Sequence, residues 1–569
     1  MKQEALVDLY TPEGEHLSPQ PWQSYPRPQL RRENWLNLNG SWDFAVSPSA
    51  SFPGSYQEKI VVPFPPESLL SGIHRQIPEG HFMFYRRTFS LPEGFARGRV
   101  LLHIGGADQR AEVWLNGVSI GGHTGGYEHF SFDVTDALLP KNVLIIRVVD
   151  TLSSFTLPYG KQCQKRGGMW YTPVSGIWQT VWLESVPERY IRALRIRTGK
   201  DTAEFTVEGD VPDGVVTIQT PAGEIQTPLV SGRAKAAILD PRLWSPEDPY
   251  LYECTIRAGE DRVETYFALR TLRIETVDGA ARLCLNGKPY FFHGLLDQGY
   301  WSDGIFTPAD AVCYEKDILA MKAMGFNTLR KHIKVEPEQF YYDCDRLGMV
   351  VFQDFVNNGD YSFLRDTALP TVGVKRRNDK NLHKDEETRR QFLLHMEQTV
   401  RQLQNHPSIC YWTIFNEGWG QFDSTAVYHR LKELDDTRFI DTASGWFTGG
   451  ESDVESDHVY FKPFRPRKTK KPLVLSEFGG YAFQPRGHAF NPTKEYGYRH
   501  FETQADYEAA VVRLYEEEIV PAIPRGLCAA IYTQVSDVED ETNGLLSCDR
   551  RVAKLTPEIM RSVAEKLKL

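Results

Sequence analysis

The sequence predicts a multidomain chain in which two β-sandwiches precede a C-terminal (β/α)8 TIM barrel. Over roughly the first 275 residues, short alternating apolar segments are separated by Gly, Pro and Asp, which is typical of strands and turns. After Leu272, strand-like apolar runs alternate with amphipathic helical segments. A chain of 569 residues is also too long for one hydrophobic core.

The N-terminal half is predicted to consist of strands, because it contains no segment with the hydrophobic periodicity of a helix. Three clear strand candidates are RVLLHIGGA, AEVWLNGVSI and NVLIIRVVD. Asn116-Gly117 predicts a tight hairpin, because these residues accept positive φ angles. We place a first sandwich at residues 1–185 and a second at 186–274, whose length suits an immunoglobulin-like sandwich.

The C-terminal half, residues 275–569, has the alternation of a (β/α)8 barrel. One helical segment carries Phe392, Leu393, Met396, Val400 and Leu403 near a single face. It ends directly before SICYWTIFNE, a continuous apolar run of the kind buried in a parallel sheet.

Composition excludes several classes of function. The net charge of −10 and pI near 5.9 argue against a nucleic-acid or anionic-membrane surface. No apolar run is long enough for a transmembrane helix, and the N-terminus shows no signal sequence. The eight scattered cysteines show no CxxC spacing, so we expect reduced thiols, no zinc site and a cytoplasmic protein.

Two glutamates end apolar strands of the predicted barrel. Glu417 follows ICYWTIFN, Glu477 lies in LVLSEFGG, and glycines follow both. Catalytic groups of barrels lie at the carboxyl ends of strands. Retaining glycosidases need two carboxyl groups, one that protonates the leaving oxygen and one that attacks the anomeric carbon. This pattern predicts a glycosidase, in which an apolar wall of Trp412, Phe415 and Trp419 raises the pKa of Glu417.

Several segments together resemble glycoside hydrolase family 2. NHPSICYWTIFNEG resembles the acid/base signature of that family and KPLVLSEFGG its nucleophile strand. FYRRTF, VWLNGVSIGGHTGGYEHFSFDVT and SGIWQTVWLE resemble its sugar-binding jelly-roll domain. The resemblance covers nearly the whole chain in the domain order jelly roll, immunoglobulin-like sandwich, barrel. It implies that Glu417 is the acid/base, that Glu477 is the nucleophile and that Asn416 contacts the sugar 2-hydroxyl.

The other candidate substrate-binding residues lie near predicted strand ends. Arg330 either contacts substrate or forms a salt bridge that orients a catalytic carboxylate, and Asp297 either binds hydroxyls or caps a loop. Tyr460 is expected to hydrogen-bond Glu477. The full set of predicted contacts is Asn416, His332, Arg330, Asp297, Tyr460, Trp446, Lys334 and Tyr532, with His458 and Asp354 as further candidates.

Departures from the family leave the sugar open. No Glu-Thr-His-Gly segment precedes Glu417, so we expect no metal and no cofactor. No Asn-x-Lys occurs near the chain end, which favours a β-galactosidase-type enzyme over a β-glucuronidase, although Lys331 or Lys334 would suit a sugar carboxylate. No acid occurs in GGMWYTPVSGI, so Trp170 or Tyr171 takes that place in the pocket.

The expected partner is a carbohydrate substrate, with no nucleic acid and no membrane, and the sequence is compatible with a homo-oligomer. From other functional classes, a catalytically silent carbohydrate-binding protein and a partner-binding scaffold are the alternatives.

Overall fold

The structure of the chain is a computed structural model that describes residues 6–371, 373–374 and 378–569. It contains two β-sandwiches and a (β/α)8 barrel, so the predicted fold class is confirmed. The domain boundaries proposed above stay predictions. Within the described residues, no helix is long and apolar enough to cross a membrane.

The first sandwich packs a six-stranded sheet, in the order β3-β2-β4-β10-β7-β8, against a four-stranded sheet, β1-β12-β5-β9, with β11 and β6 paired beside them. The buried cluster between the sheets includes Trp42, Tyr85, Leu102 and Ile146. Its strands are β1 Trp35–Asn37, β2 Gly40–Ser47, β3 Glu58–Val62, β4 Phe82–Phe89, β5 Arg99–Ile104, β6 Ala107–Asp108, β7 Arg110–Leu115, β8 Val118–Thr124, β9 Phe130–Asp133, β10 Asn142–Val149, β11 Gly176–Ile177 and β12 Val181–Val186.

The hairpin predicted at Asn116-Gly117 joins β7 to β8. Leu115 faces Val118 across it, so the loop has two residues. Asn116 and Gly117 have φ angles of +54° and +82°, the left-handed conformation that a two-residue turn of this hand requires. The prediction is confirmed.

The second sandwich packs three strands, β13-β14-β17, on four, β16-β15-β18-β19. Buried and exposed side chains alternate along β14, because one face packs on the core that holds Phe205, Ile218 and Ile256. Its strands are β13 Ala193–Thr198, β14 Thr202–Glu208, β15 Gly214–Thr220, β16 Gly223–Leu229, β17 Arg233–Ala237, β18 Tyr252–Ala258 and β19 Asp261–Phe267.

Three short strands lead into the barrel and cover the amino end of its last strand. Arg282 in β21 donates hydrogen bonds to the backbone oxygens of Ile523 and Leu527, at 2.9 and 3.1 Å. The strands are β20 Leu272–Val277, β21 Ala280–Leu285 and β22 Lys288–Pro289.

Eight parallel strands form a nearly closed barrel in the order β27-β26-β25-β24-β23-β32-β29-β28. Its elements are β23 Phe292–Asp297, α1 Val312–Ala323, β24 Thr328–Lys331, α2 Glu338–Leu347, β25 Val350–Asp354, α3 Leu369–Thr371, α4 Glu386–Leu403, β26 Ile409–Asn416, α5 Ser424–Leu434, β27 Phe439–Ser444, β28 Glu455–Val459, β29 Leu473–Gly479, β30 Tyr481–Phe483, β31 Arg499–Phe501, α6 Gln504–Leu514, β32 Leu527–Thr533 and α7 Pro557–Ala564.

Helix α4 confirms the predicted amphipathic segment. Phe392, Met396, Val400 and Leu403 are buried, whereas Leu393 is only partly so. Asp385 caps the helix by accepting a hydrogen bond of 2.7 Å from the backbone N–H of Thr388. The helix packs against the outside of the barrel and leads directly to β26, the strand that ends at the first catalytic candidate.

Apolar and polar residues divide the barrel interior along its axis. Phe292, Phe352 and Tyr411 pack in one buried cluster, and the last two stack with ring centroids 4.2 Å apart. Polar side chains replace them towards the carboxyl ends of the strands, where Arg330, Asp354, Asn416 and Glu477 lie. The polar site residues therefore lie directly on a packed apolar layer of the barrel interior.

Candidate active site

Glu417 and Glu477 both lie at the carboxyl end of the barrel. Glu417 directly follows β26 in a left-handed conformation with φ +51°, which is uncommon for a residue with a side chain. Glu477 lies in β29 beside an irregularity in its pairing with β32. Both residues are buried, at 9% and 5% exposure, so each carboxyl group is largely removed from solvent.

The spacing of the two carboxyl groups matches a retaining mechanism. One oxygen of Glu417, one of Glu477 and a ring nitrogen of His458 all lie within 4.8 Å of one another. Retaining glycosidases hold their carboxyl groups about 5–5.5 Å apart, whereas inverting enzymes need room for a water between them. Three such groups could also bind a cation, so the expectation of a metal-free site stays a prediction.

Glu417 has the protonation behaviour of an acid/base. Burial raises its pKa to about 7, against the opposing positive charges of Lys161 and Arg330. A group with this pKa carries a proton near neutral pH and also accepts one. Its Oε1 lies 2.8 Å from Nδ1 of His458.

His458 holds Glu417 in place as a neutral ring. Burial lowers the pKa of His458 to about 3. Because arginine only donates, the 3.4 Å contact from Arg330 to Nε2 favours the tautomer with its proton on Nδ1, facing Glu417. Trp446 packs edge-on against this ring, with centroids 5.5 Å apart. Trp446 therefore supports the site through His458.

Glu477 receives one hydrogen bond on each oxygen. Arg330 Nη1 donates to Oε1 at 3.0 Å, and the Tyr460 hydroxyl donates to Oε2 at 2.5 Å. Burial raises the pKa of Tyr460 well above its ordinary value, so the phenol keeps its proton. The two donors fix the orientation of the Glu477 carboxylate, and Tyr460 has the contact that the sequence predicted.

Arg330 connects the candidate catalytic residues to one another. Besides Glu477, its guanidinium donates to Asp354 Oδ1 at 3.0 Å and to Asn416 Oδ1 at 2.8 Å. It is 1% exposed. These contacts give Arg330 the salt-bridge role rather than the substrate contact.

The contact with Arg330 also orients Asn416. Since its Oδ1 accepts from Arg330, the amide group Nδ2 points elsewhere, and no described residue accepts a hydrogen bond from it. A side-chain amide donor next to Glu417 is suitably placed for a sugar hydroxyl.

His332 is held by Asp354. Its Nδ1 lies 2.9 Å from Asp354 Oδ2, and burial lowers the pKa of His332 to about 3. The ring is therefore neutral, with Nδ1 as donor and Nε2 as acceptor. Nε2 has no partner among the described residues, so it is available to a substrate hydroxyl.

Lys334 does not reach the site, which corrects the sequence-based assignment. Its ammonium donates to Glu336 Oε1 at 2.9 Å and to the backbone oxygens of Gly299 and Phe306 at 2.5 and 2.8 Å. All three of its N–H bonds are thereby used. Burial lowers the pKa of Lys334 to about 8.

Asp297 belongs to the same buried charge cluster. Its two oxygens accept from Lys331 Nζ at 2.6 Å and from the Gly299 N–H at 2.9 Å. Lys331 also pairs with Glu336 at 2.9 Å. Asp297 therefore has the loop-capping role, and Lys331 is neutralised inside the protein.

Tyr532 is part of the core behind β29. Its ring packs against Phe478 and Tyr515, and its hydroxyl accepts from the Tyr481 N–H at 3.3 Å. The assignment of Tyr532 to the substrate is not supported by these contacts. Trp412 and Phe415, expected beside the acid, are also core residues, since Trp412 donates to Asp435 and Phe415 stacks on Phe392.

The first sandwich brings Trp170 and Tyr171, both named from the sequence, and Lys161, which was not, to the barrel near Glu417. Trp170 stacks on Trp419, which lies two residues after Glu417, with ring centroids 5.2 Å apart. The Tyr171 hydroxyl donates a hydrogen bond to Glu541. Lys161 lies with its ammonium 4.9 Å from the centre of the Trp419 ring. No sequence signal marks Lys161, because its place depends on how the sandwich contacts the barrel.

A (β/α)8 barrel with this pair of carboxyl groups defines the class of retaining glycoside hydrolases. Three family models match: "Glycosyl hydrolase 2 galactose-binding domain-like" over residues 75–174, "Glycosyl hydrolases family 2" over 191–270, and "Glycosyl hydrolases family 2, TIM barrel domain" over 276–551. The chain belongs to glycoside hydrolase family 2, and the resemblance seen in the sequence is confirmed.

Individual relatives are distant. A beta-glucuronidase of Pongo abelii is 26% identical over 479 residues, which cover 73% of this chain and 69% of the relative. A beta-galactosidase of an Arthrobacter species is 28% identical over 349 residues, 58% of this chain and 31% of the relative. The solved structure of a β-D-glucuronidase of Dictyoglomus thermophilum superimposes with a TM-score of 0.72 at 19% identity, over 96% of this chain and 99% of that one.

Proposed function

We propose that the chain is an exo-acting β-glycosidase that releases a terminal β-linked uronic acid, in the manner of a β-glucuronidase. The observation that carries the glycosidase assignment is the close pair of Glu417 and Glu477, one with a raised pKa and one held by two donors. Beta-glucuronidases among its relatives and structural neighbours support the uronide over the neutral galactoside that the sequence favoured.

In the first step Glu477 attacks the anomeric carbon while Glu417 gives its proton to the leaving oxygen. The glycosidic bond breaks, an ester forms between the sugar and Glu477, and the aglycone leaves as an alcohol. Arg330 and Tyr460 orient the attacking carboxylate, and Asn416 is placed to bind the 2-hydroxyl.

In the second step a water attacks the anomeric carbon of that ester. Glu417, now ionised, takes the proton of the water, and Glu477 leaves as a carboxylate. The two inversions together retain the configuration of the sugar, and both glutamates return to their starting protonation states.

Contacts between the sandwich and the barrel support exo action. The Tyr159 hydroxyl donates to the backbone oxygen of Gly359 at 2.9 Å, and Trp170 stacks on Trp419. These contacts bring the first sandwich against the barrel close to Glu417, and a neighbouring domain at this place suits a pocket for a chain end.

A panel of p-nitrophenyl glycosides tests the proposal. We expect β-glucuronide or β-galacturonide to be hydrolysed with retention, as followed by NMR of the released sugar, and Glu477→Gln to remove the activity. Turnover of neutral β-glycosides alone would contradict the uronide assignment. A folded protein that hydrolyses none of them would favour the silent carbohydrate-binding alternative.

A further inference from the structure

Lys161 brings a positive charge from the first sandwich to the active site of the barrel. It lies between β10 and β11 and is 8% exposed. Its charge acts on Glu417, His332 and Glu541, and its ammonium lies over the ring of Trp419. One cation of the first sandwich therefore lies near enough to Glu417 and His332 for its charge to lower the pKa of both.

The ammonium of Lys161 has no hydrogen-bond partner among the described residues, and no described carboxylate lies within 4.0 Å of it. A buried charge without a partner is costly, unless a ligand completes it. The neighbouring acid Glu541 already accepts hydrogen bonds from Tyr171 and from Asn543. Lys161 thus differs from a lysine closed in an internal salt bridge.

The other cations near the barrel opening are used by the protein. Arg330 binds Asp354 and Glu477, while Lys331 and Lys334 share Glu336. Unlike these three cations, Lys161 has neither a hydrogen-bond partner nor a carboxylate partner among the described residues. An anionic sugar close to Glu417, Glu477 and Glu541 would be repelled without such a charge.

Neighbouring residues fix the position of Lys161. The Tyr159 N–H donates to the Asn357 backbone oxygen at 3.0 Å, and the Gln162 amide donates to Asp108 at 2.8 Å. Gly160 has φ +67°, and a Cβ there would lie 2.9 Å from the backbone oxygen of Ile333. The segment is therefore held by the barrel on one side and the sandwich on the other.

We propose that Lys161 binds the carboxylate of a β-linked hexuronide, so that the first sandwich gives the barrel its charge selectivity. This inference rests on the proposed function. An ammonium that lies on an aromatic face and has no partner within the protein forms charge-assisted hydrogen bonds to a carboxylate but gains less from a hydroxymethyl group.

A matched pair of substrates tests the role of Lys161. p-Nitrophenyl β-D-glucuronide and β-D-glucoside differ only at the C6 group, and the corresponding galacturonide and galactoside form a second pair. We expect Lys161→Met to lower kcat/KM for the preferred uronide by about 30-fold or more and for its neutral partner by less than about threefold. The measured quantity is the ratio of kcat/KM for the uronide to kcat/KM for its neutral partner, because any change at Glu417 affects both substrates alike.

Two further variants keep the test sharp. Lys161→Arg retains the charge and is expected to keep the uronide preference. Lys165→Met, an exposed lysine of the same segment, is expected to change neither substrate more than about twofold. If Lys161→Met does not fold, as judged by circular dichroism, Lys161→Gln replaces it, with inhibition by free glucuronate and glucose as the second measurement.

An equal loss on both substrates, or an unchanged preference in Lys161→Met, would overturn the inference and leave the proposed function standing. A wild-type enzyme that hydrolyses only neutral glycosides would overturn both.

Discussion

At the scale of single residues, Arg330 is bonded both to the proposed nucleophile and to the residue before the proposed acid/base. It contacts Glu477 directly and fixes Asn416, the residue before Glu417. Burial alone would raise the pKa of Asp354, but the charge of Arg330 and the hydrogen bond from His332 lower it. Asp354 therefore stays ionised and balances the guanidinium, so that one arginine orients both the Glu477 carboxylate and the Asn416 amide.

We predict that Glu477→Gln lowers kcat about a thousandfold or more while the fold survives, because an amide cannot form the glycosyl ester. Glu502→Gln, an exposed glutamate, is the control and is expected to keep full activity. Mass spectrometry after a 2-fluoro-glycoside inactivator should find the label on Glu477. A label on Asp354 or Glu417 would place the nucleophile elsewhere.

For Glu417 we predict a basic limb in the pH profile of kcat/KM with a midpoint near its pKa of about 7. The acid must be protonated to act, so activity is present below this pH and is lost as the pH rises through it. In Glu417→Ala the limb should vanish for activated aryl glycosides, substrates with poor leaving groups should suffer most, and azide should restore turnover. An unchanged limb in the variant would assign the acid to another residue.

At the scale of elements, strand ends were predictable and contacts between elements were not. An apolar run that stops at Glu417 or Glu477 before glycines marks the end of a buried strand, and this local signal was enough to find both. Lys334 and Tyr532 were placed at the substrate because the sequence does not show their partners inside the protein. Lys334 pairs with Glu336, and the ring of Tyr532 stacks on Tyr515. Lys161 depends on contacts with residues nearly two hundred positions away, which no local pattern reports.

The segment that carries Lys161 is itself a testable element. Gly160→Ala puts a Cβ against the Ile333 backbone oxygen in a left-handed conformation, so the segment must move away from the barrel. We predict a rise in KM of about tenfold with a smaller change in kcat, and a stability loss of about 1–2 kcal/mol. Steady-state kinetics and thermal unfolding measure these.

Gly94→Ala is the control for Gly160→Ala. Gly94 has the same left-handed conformation, with φ +70°, but open space around its Cβ position, so the control has the backbone strain without the steric contact. It is expected to lose a little stability and no activity. Unchanged kinetics in Gly160→Ala would show that the position of this segment does not matter to the substrate.

At the scale of the whole molecule, the order of the three domains was predictable from hydrophobic periodicity alone, because the two sandwiches have the period of strands and the barrel region alternates between strand and helix periods. The connections between the units were not. Arg32 joins the two sandwiches: it donates to Asp261 at 2.9 and 2.8 Å and to Glu184 at 3.2 Å, from a buried position. Glu184 lies in β12 and Asp261 in β19, so one side chain ties a strand of each sandwich.

The Arg32 contacts predict a substitution that lowers stability and leaves activity unchanged. Arg32→Met would leave Asp261 buried without its cation, and breaking a buried ion pair from one side costs about 3–5 kcal/mol. We expect a clear drop in the unfolding temperature and an unchanged kcat, because no catalytic residue contacts Arg32. Arg189→Met removes an exposed pair with Asp210, whose side chains are 55% and 85% exposed, and is expected to change stability by less than about 1 kcal/mol. Calorimetry on both variants compares them directly, and equal unfolding temperatures would show that the Arg32 cluster does not hold the sandwiches together.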